Sequence, residues 1–227
     1  MTEKHLPSPY LAPGFYQRAL AEGRHRAIVG GRWEETGRLQ MTALRDAGLG
    51  PEDHLLDIGA GALRLGRLAA PFLLPGRYWA TDASAALMAR GRAVELDDPS
   101  RLPRSRLVED AAFRYPDVPA EIDMAIAFAV FTHLPDGSLL RALWRARMRF
   151  PRLRAFLFTV FLAPDGPGAL RQKDGVVTHP DRPPYHLAAA RVERIGRKAG
   201  FAAEMSGMVL PRGQRLFVAR PTGQPRS

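Results

Sequence analysis

The chain contains no cysteine. A disulfide framework, a thiolate nucleophile and a cysteine-based zinc site are thereby excluded. No apolar run approaches the ~20 residues needed to span a bilayer. The opening stretch, MTEKHLPSPYLAPG, lacks the apolar centre of a signal peptide. The expectation is a cytoplasmic protein without a membrane span. No internal repeat is visible, and low complexity is confined to a short polar tail over 221–227. The Gly-x-Ser-x-Gly elbow of serine hydrolases is missing, which together with the absent thiol weakens hydrolase readings. The six histidines show no ligand spacing; the nearest group, His179, Asp181 and His186, matches no recognised metal site, so no metal is expected.

What is present suits a soluble globular chain: 227 residues, 46% hydrophobic and 25% charged. At roughly 150 residues per domain, the simplest division is one large domain over 31–220, an N-terminal extension over 1–30 and the tail. Lys and Arg number 33 against 23 acidic residues, a net +10. The excess lies wholly beyond residue 100, with 9 basic and 6 acidic residues over 101–153 and 12 and 5 over 154–227. Arginine supplies 30 of the 33 basic residues. Clustered arginine suits phosphate, so a nucleic-acid partner is one reading. Without aromatic residues interleaved for base stacking, a solvated arginine-rich surface is the favoured one.

Apolar periodicity predicts a regular alternation. A short helix falls near Phe15–Gly23, and 33–47 has helical spacing in Trp33, Leu39, Leu44 and Ala47. Strands are expected at 54–58, 77–82, 105–110, 122–130 and 155–163, with helices at 62–73, 84–94, 135–148 and 188–200. Asp136 or Ser138 could cap the helix at 135–148, whose Arg141, Arg145 and Arg149 share one face. A Pro/Gly/His-rich loop fills 164–185. Two closing strands, 201–210 and 214–219, are joined by Pro211-Arg212-Gly213 and must pair antiparallel. Alternation at this spacing predicts an α/β fold, a mostly parallel sheet with helices on both faces.

The most informative stretch is Asp57-Ile58-Gly59-Ala60-Gly61, between a strand and a helix. Glycines there allow close backbone approach to a ligand, and a helix start supplies free N–H groups. The dinucleotide pattern G-x-G-x-x-G fails, since Arg64 takes the third position and Gly66 comes two residues late. Asp82 ends the second strand, where a carboxylate can accept from both ribose hydroxyls. Glu109-Asp110-Ala111 end the third. These acidic strand ends lie 25 and 28 residues apart.

These motifs resemble the class I S-adenosylmethionine-dependent methyltransferases. The resemblance covers roughly 25–220 and is carried by Val29-Gly30-Gly31-Arg32-Trp33, Leu55 to Gly61, Tyr78-Trp79-Ala80-Thr81-Asp82 and Phe131-Thr132-His133-Leu134-Pro135. Pro184-Tyr185-His186 and Pro211-Arg212-Gly213-Gln214 are similar to one bacterial subgroup with mostly unassigned substrates. It implies a Rossmann-like sheet of seven strands, the last antiparallel, and S-adenosyl-L-methionine as cofactor. By position, Gly59 and Gly61 would meet its methionyl part, with Asp57 and Ala60 also among the cofactor-binding residues. Asp82 would bind the ribose, with Ala83 beside it among the cofactor-binding residues, Asp110 with Ala111 the adenine, and Ala127 and Phe128 would border the transferable methyl. Ala60 stands where many relatives have cysteine, and Phe150-Pro151-Arg152 replaces the usual Pro-Gly-Gly turn.

An activated methyl group asks chiefly for positioning, and a general base only for a poorly acidic hydroxyl. His133, just past the fourth strand, and His186, after the long loop, are the candidates. The acceptor pocket is expected from the N-terminal extension, the segment after Phe128 and the 164–186 loop, with Arg182 available for an anion. The leading expectation is methyl transfer to a small molecule or glycan at oxygen. RNA methylation is the alternative, although the base-amino tetrad Asn/Asp-Pro-Pro-Tyr/Phe is absent at Ala127-Phe128-Ala129-Val130. An inactive nucleotide-binding or interaction module is another, whereas a nicotinamide dehydrogenase fits neither Arg64 nor the closing strands.

Overall fold

Successive residues of the central strands point to opposite faces, and each face has its own apolar core. In the computed structural model, which describes residues 14–223, Met124 and Ile126 join one buried cluster while Ala125 and Ala127 join the other. Ala155 and Leu157 likewise face away from Phe156 and Phe158. Strands buried on both sides read as continuous apolar runs, as these two segments do. The first cluster packs Ala43 and Leu44 of α2 (Trp33–Asp46), Ala69 of α3 (Gly66–Phe72) and Met88 of α4 (Ala85–Glu95) on one face. The second packs Leu139 and Leu143 of α5 (Asp136–Arg149) and Val192 of α6 (Ala189–Lys198) on the other. A short helix, α1 (Phe15–Ala21), precedes them.

The strands are β1 (Leu55–Ile58), β2 (Tyr78–Asp82), β3 (Leu107–Glu109), β4 (Met124–Ala127), β5 (Ala155–Leu162), β6 (Leu170–Arg171), β7 (Val177–Thr178), β8 (His186–Leu187), β9 (Phe201–Met205) and β10 (Arg215–Pro221). Their main path runs β3-β2-β1-β4-β5-β10-β9, parallel from β3 to β5 and antiparallel at β10. The Rossmann-like sheet of seven strands with an antiparallel C-terminal pair is therefore present. The order reverses between β1 and β4, and a crevice opens there outside the carboxyl ends of the strands.

Several expected boundaries shift for local reasons. The helix expected over 62–73 begins at Gly66, because Leu63 takes a left-handed turn (φ 63°) with its N–H on the Ala60 carbonyl. The strand expected over 122–130 stops at Ala127; Ala129 is also left-handed (φ 60°) and gives its N–H to the Thr159 hydroxyl. The strand expected over 105–110 narrows to 107–109 behind a single 3₁₀ turn. Neither Asp136 nor Ser138 caps α5: Pro135 holds the cap position, and Asp136 pairs with Arg191 of α6 at 2.6 Å.

The long loop is not structureless. β6 and β7 form a hairpin, and β8 adds in parallel beside β5, pairing His186 with Phe161. The first closing strand is shorter than expected: β9 ends at Met205, and 206–214 make a longer return over the sheet edge before β10, which runs on to Pro221. Of the tail expected over 221–227, residues 224–227 lie outside the described residues, as do His5 and the chain before Gly14.

Two of the three arginines on the basic face of α5 bond to backbone, and Arg141 is exposed. Arg145 donates to the Ala112 carbonyl at 2.7 Å and Arg149 to the Val118 carbonyl at 2.9 Å. Arg92 and Arg101 similarly clasp the Leu102 and Leu73 carbonyls, at 2.6 and 2.9 Å. These four arginines tie loops to elements through backbone carbonyls. Among the described residues no helix is long and apolar enough to cross a membrane.

Candidate functional site

One cavity occupies the crevice at the switch between β1 and β4. Its floor is the turn after β1. Gly59 and Gly61 are left-handed (φ 70° and 56°), which favours glycine. A Cβ on Gly59 would lie 2.4 Å from Val130, and one on Gly61 2.7 Å from Val29. The turn's amides are not free, contrary to expectation. Those of Gly59 and Ala60 donate to the Thr81 carbonyl at 2.7 and 3.0 Å, and that of Gly61 to Asp82 at 2.9 Å. The chain needs these bonds to close a sharp turn that has no helical partners of its own.

The carboxylates expected at the strand ends all line this cavity. Asp57 is buried and accepts the Tyr78 hydroxyl at 2.6 Å. Burial pushes its carboxyl up to about 7, against the Tyr78 hydrogen bond, with the neighbouring Asp82 adding to the rise. Asp82 accepts the amides of Gly61 and Ser84, one on each oxygen, both at 2.9 Å. Burial still raises it to about 6. Each oxygen keeps a lone pair for a further donor. The adjoining helix is capped by Ser84, whose hydroxyl accepts from Leu87, so Asp82 is not consumed as its cap. Asp110 accepts the amides of Ala112 and Tyr115 at 2.9 and 2.8 Å, fixing the bend beyond β3. Ala60, Ala83, Ala111 and Phe128 also border the cavity.

Two expected residues are elsewhere. Ala127 is wholly buried in the sheet core, because the chain turns into the cavity one residue later, at Phe128. His186 is held in β8 beside β5, only 4% exposed, with its Nδ1 2.9 Å from the Thr178 hydroxyl. Pairing of β8 in the sheet removes His186 from the crevice, and with it His179, Arg182 and Tyr185, none of which lines the cavity. The loop acts at one remove: the Tyr185 amide donates to the Thr132 carbonyl at 2.7 Å, bracing the segment that carries His133.

His133 does line the cavity. Burial pushes its imidazole down to about 4, and the positive charge of Arg212 works in the same direction. It is therefore neutral near pH 7, and a weaker base than a free imidazole.

Sequence reasoning missed the wall supplied by α2 and the return before β10. Thr36 and Gln40 lie four apart on the buried face of α2 and line the cavity. Gln40 Oε1 is buried with no hydrogen-bond partner. The signal was available: polar residues within the stripe Trp33, Thr36, Gly37, Gln40, Ala43 and Leu44, which obeys helical period better than Leu39 and Ala47. Arg64 and Arg212 were also missed. Arg64 donates to the Gly31 carbonyl at 3.0 Å and Arg212 to the Gly30 carbonyl at 2.7 Å, pinning the 28–32 segment over the glycine turn. No three His, Asp or Glu side chains gather into a metal-binding group among the described residues.

No protein-family model and no curated protein matches the sequence. Solved structures do. Magnesium protoporphyrin IX methyltransferase from Synechocystis PCC 6803 with bound S-adenosylhomocysteine aligns over 91% of this chain and 96% of its own, at 16% identity and a TM-score of 0.62. The 1,6-didemethyltoxoflavin-N1-methyltransferase of Burkholderia thailandensis, holding its substrate and S-adenosylhomocysteine, aligns over 92% and 86%, at 20% identity and 0.60. An S-adenosylmethionine-dependent methyltransferase from Clostridium acetobutylicum aligns over 92% and 100%, at 10% identity and 0.61. At these identities the likeness is one of fold, and the chain has the Rossmann-like fold of these methyltransferases.

Proposed function

We propose that the protein is an S-adenosyl-L-methionine-dependent methyltransferase that transfers the methyl group to an oxygen of a small-molecule or glycan acceptor. The observation that carries this reading is the convergence of Asp57, Asp82 and Asp110, from three successive strand ends, on one cavity floored by the Gly59–Gly61 turn. The fold neighbours that hold S-adenosylhomocysteine support it.

The residues present fit the cofactor. Asp82 retains lone pairs for two ribose hydroxyls, and Ala83 lies beside it. The bend at Asp110 and Ala111 offers the adenine end of the crevice, with Phe113 in its wall. Gln40 Oε1, a buried acceptor without a donor, matches the ammonium of the methionyl part. Leaving such a group unsatisfied costs about 1–3 kcal/mol, so a ligand that supplies a hydrogen there gains affinity. Gly59, Ala60 and Gly61 admit the methionyl chain close to the backbone.

When bound, the sulfonium supplies an activated methyl group. The protein's part is then to orient the acceptor, exclude water and remove a proton. Phe128, Leu134 and Val130 give the β4 side of the cavity apolar walls. His133, neutral near pH 7, takes the proton that the acceptor hydroxyl loses as its oxygen gains the methyl group. Calorimetric titration with S-adenosylmethionine, S-adenosylhomocysteine and NAD tests the reading. Binding of the first two and not the third is expected; tight NAD binding without response to S-adenosylhomocysteine overturns it.

A further inference from the structure

Charges of both signs line the cavity. Its carboxylates, Asp57, Asp82 and Asp110, stand at or just past the ends of β1, β2 and β3. Its guanidinium groups are Arg32, Arg64 and Arg212, and no carboxylate lines the wall after β4 or the return before β10. The sheet order places Arg212 on the side opposite Asp82 and Asp110. β3 and β2 lie on one flank of β1, whereas β4, β5 and β10 lie on the other. β10 runs antiparallel to β5, so the residues just before it sit at the same carboxyl edge as the cavity.

Two of these cations have carboxylates nearby. Arg32 pairs with Glu35 at 3.1 Å, and Arg64 is close enough to Asp57 to offset part of the rise that burial gives its carboxyl. Arg212 makes no ion pair among the described residues. It donates to the neutral Gly30 carbonyl at 2.7 Å. A guanidinium carries five N–H donors, so donors remain. The group is also within electrostatic reach of His133, whose imidazole it disfavours from charging. Its position is fixed from below. Gln214, two residues on, accepts the Thr159 hydroxyl at 2.7 Å, and Thr159 in turn accepts the Ala129 amide at 2.7 Å. The segment bearing Arg212 and the turn leading to His133 are thus tied to one buried threonine.

Resting on the methyltransferase reading, we infer that Arg212 is a specificity-determining residue that selects an acceptor carrying a compact anionic group, a carboxylate or phosphate monoester, on an apolar body. The cofactor's own carboxylate has two other cations in the cavity wall, Arg32 and Arg64. The apolar body follows from Ile28, Val29, Phe128 and Leu134, which share the cavity with Arg212. An anion held by Arg212 brings the rest of the acceptor alongside His133, whereas a neutral acceptor leaves the guanidinium to compete for water.

Calorimetry on the protein loaded with S-adenosylhomocysteine tests this without turnover. The probes are 4-hydroxybenzoate, benzoate and phenyl phosphate, against 4-hydroxybenzyl alcohol and benzyl alcohol as neutral partners. We expect the anions to bind about ten-fold or more tighter than the alcohols, as for other hydrogen bonds to charged groups. The better of carboxylate and phosphate identifies the source of the anion. Arg212→Gln keeps a donor for the Gly30 carbonyl but removes the charge; it should abolish the preference, whereas Arg212→Lys should keep most of it. S-adenosylhomocysteine affinity should be unchanged in both. Equal binding of anions and alcohols overturns the inference. So does a loss of S-adenosylhomocysteine affinity in Arg212→Gln, which would assign the guanidinium to the cofactor. If the wild-type protein fails to bind S-adenosylhomocysteine, the underlying reading falls, and the same titrations on the unloaded protein still decide whether Arg212 selects anions.

Discussion

Thr159 donates its hydroxyl hydrogen to Oε1 of Gln214 at 2.7 Å, and the two are buried together between β5 and the return into β10. The same hydroxyl oxygen accepts the Ala129 amide at 2.7 Å, just where β4 ends. One side chain therefore satisfies two segments that wall the cavity. Thr159→Val keeps the shape and removes both bonds. It should lower unfolding free energy by about 1–3 kcal/mol, because an amide and a glutamine carbonyl are left buried and unpaired. Chemical denaturation measures this; unchanged stability would mean that water replaces the hydroxyl at no cost.

Asp82→Ala should weaken S-adenosylhomocysteine binding by about 1.5–3 kcal/mol, the scale of hydrogen bonds to a charged acceptor. The fold should persist, since the carboxylate faces the cavity rather than the apolar clusters. Titration calorimetry with circular dichroism as a check on folding decides it, and unaltered affinity would move the ribose contact elsewhere.

The pH dependence of that binding follows from the raised carboxyl of Asp82, at about 6 in the unliganded protein. Hydroxyls that donate to the carboxylate bind its ionised form. Affinity should fall below about pH 6, by at most about ten-fold per pH unit for this group. A flat profile from pH 5 to 8 in calorimetric titrations contradicts an ionised Asp82 as the ribose acceptor.

His133 and His186 should separate cleanly. His133→Ala should lower turnover far more than S-adenosylhomocysteine affinity, because the imidazole borders the cavity and acts on the acceptor. His186→Ala should instead reduce thermal stability while leaving affinity intact, since its ring is packed against Thr178 beside β5. Equal loss of turnover and affinity in His133→Ala would give it a structural role.

Gly91 offers a test of how the site is supported. A Cβ there would lie 2.2 Å from the Ala62 carbonyl, so α4 approaches the glycine turn as closely as backbone allows. Gly91→Ala should destabilise the protein by about 1–3 kcal/mol through overpacking, and weaken S-adenosylhomocysteine binding with it. Wild-type stability in denaturant unfolding would contradict this packing.

The strand–helix alternation and the acidic strand ends were legible because each is a local pattern. Apolar runs such as 122–130 mark buried strands, and Asp57, Asp82 and Asp110 recur at strand ends. The boundaries failed where a non-glycine residue takes a left-handed turn, as Leu63 and Ala129 do; composition gives no warning of that, because tertiary bonds impose it. The histidine at 186 was misplaced for a related reason. A loop rich in Pro, Gly and His looks irregular, yet β8 pairs with β5 through backbone bonds that side-chain pattern does not announce. Arg212 was hidden by distance, since its partner carbonyl at Gly30 lies 182 residues earlier. Gln40 could have been found, as a polar residue on the apolar stripe of α2.

The most direct test of the central claim is a crystal structure of the protein with S-adenosylhomocysteine. The account predicts adenosine in the crevice with both ribose hydroxyls on Asp82, the adenine along Asp110 and Ala111, and the sulfur directed towards Phe128 and His133. A ligand bound away from the carboxyl ends of β1 and β2, or with its ribose turned from Asp82, would contradict it.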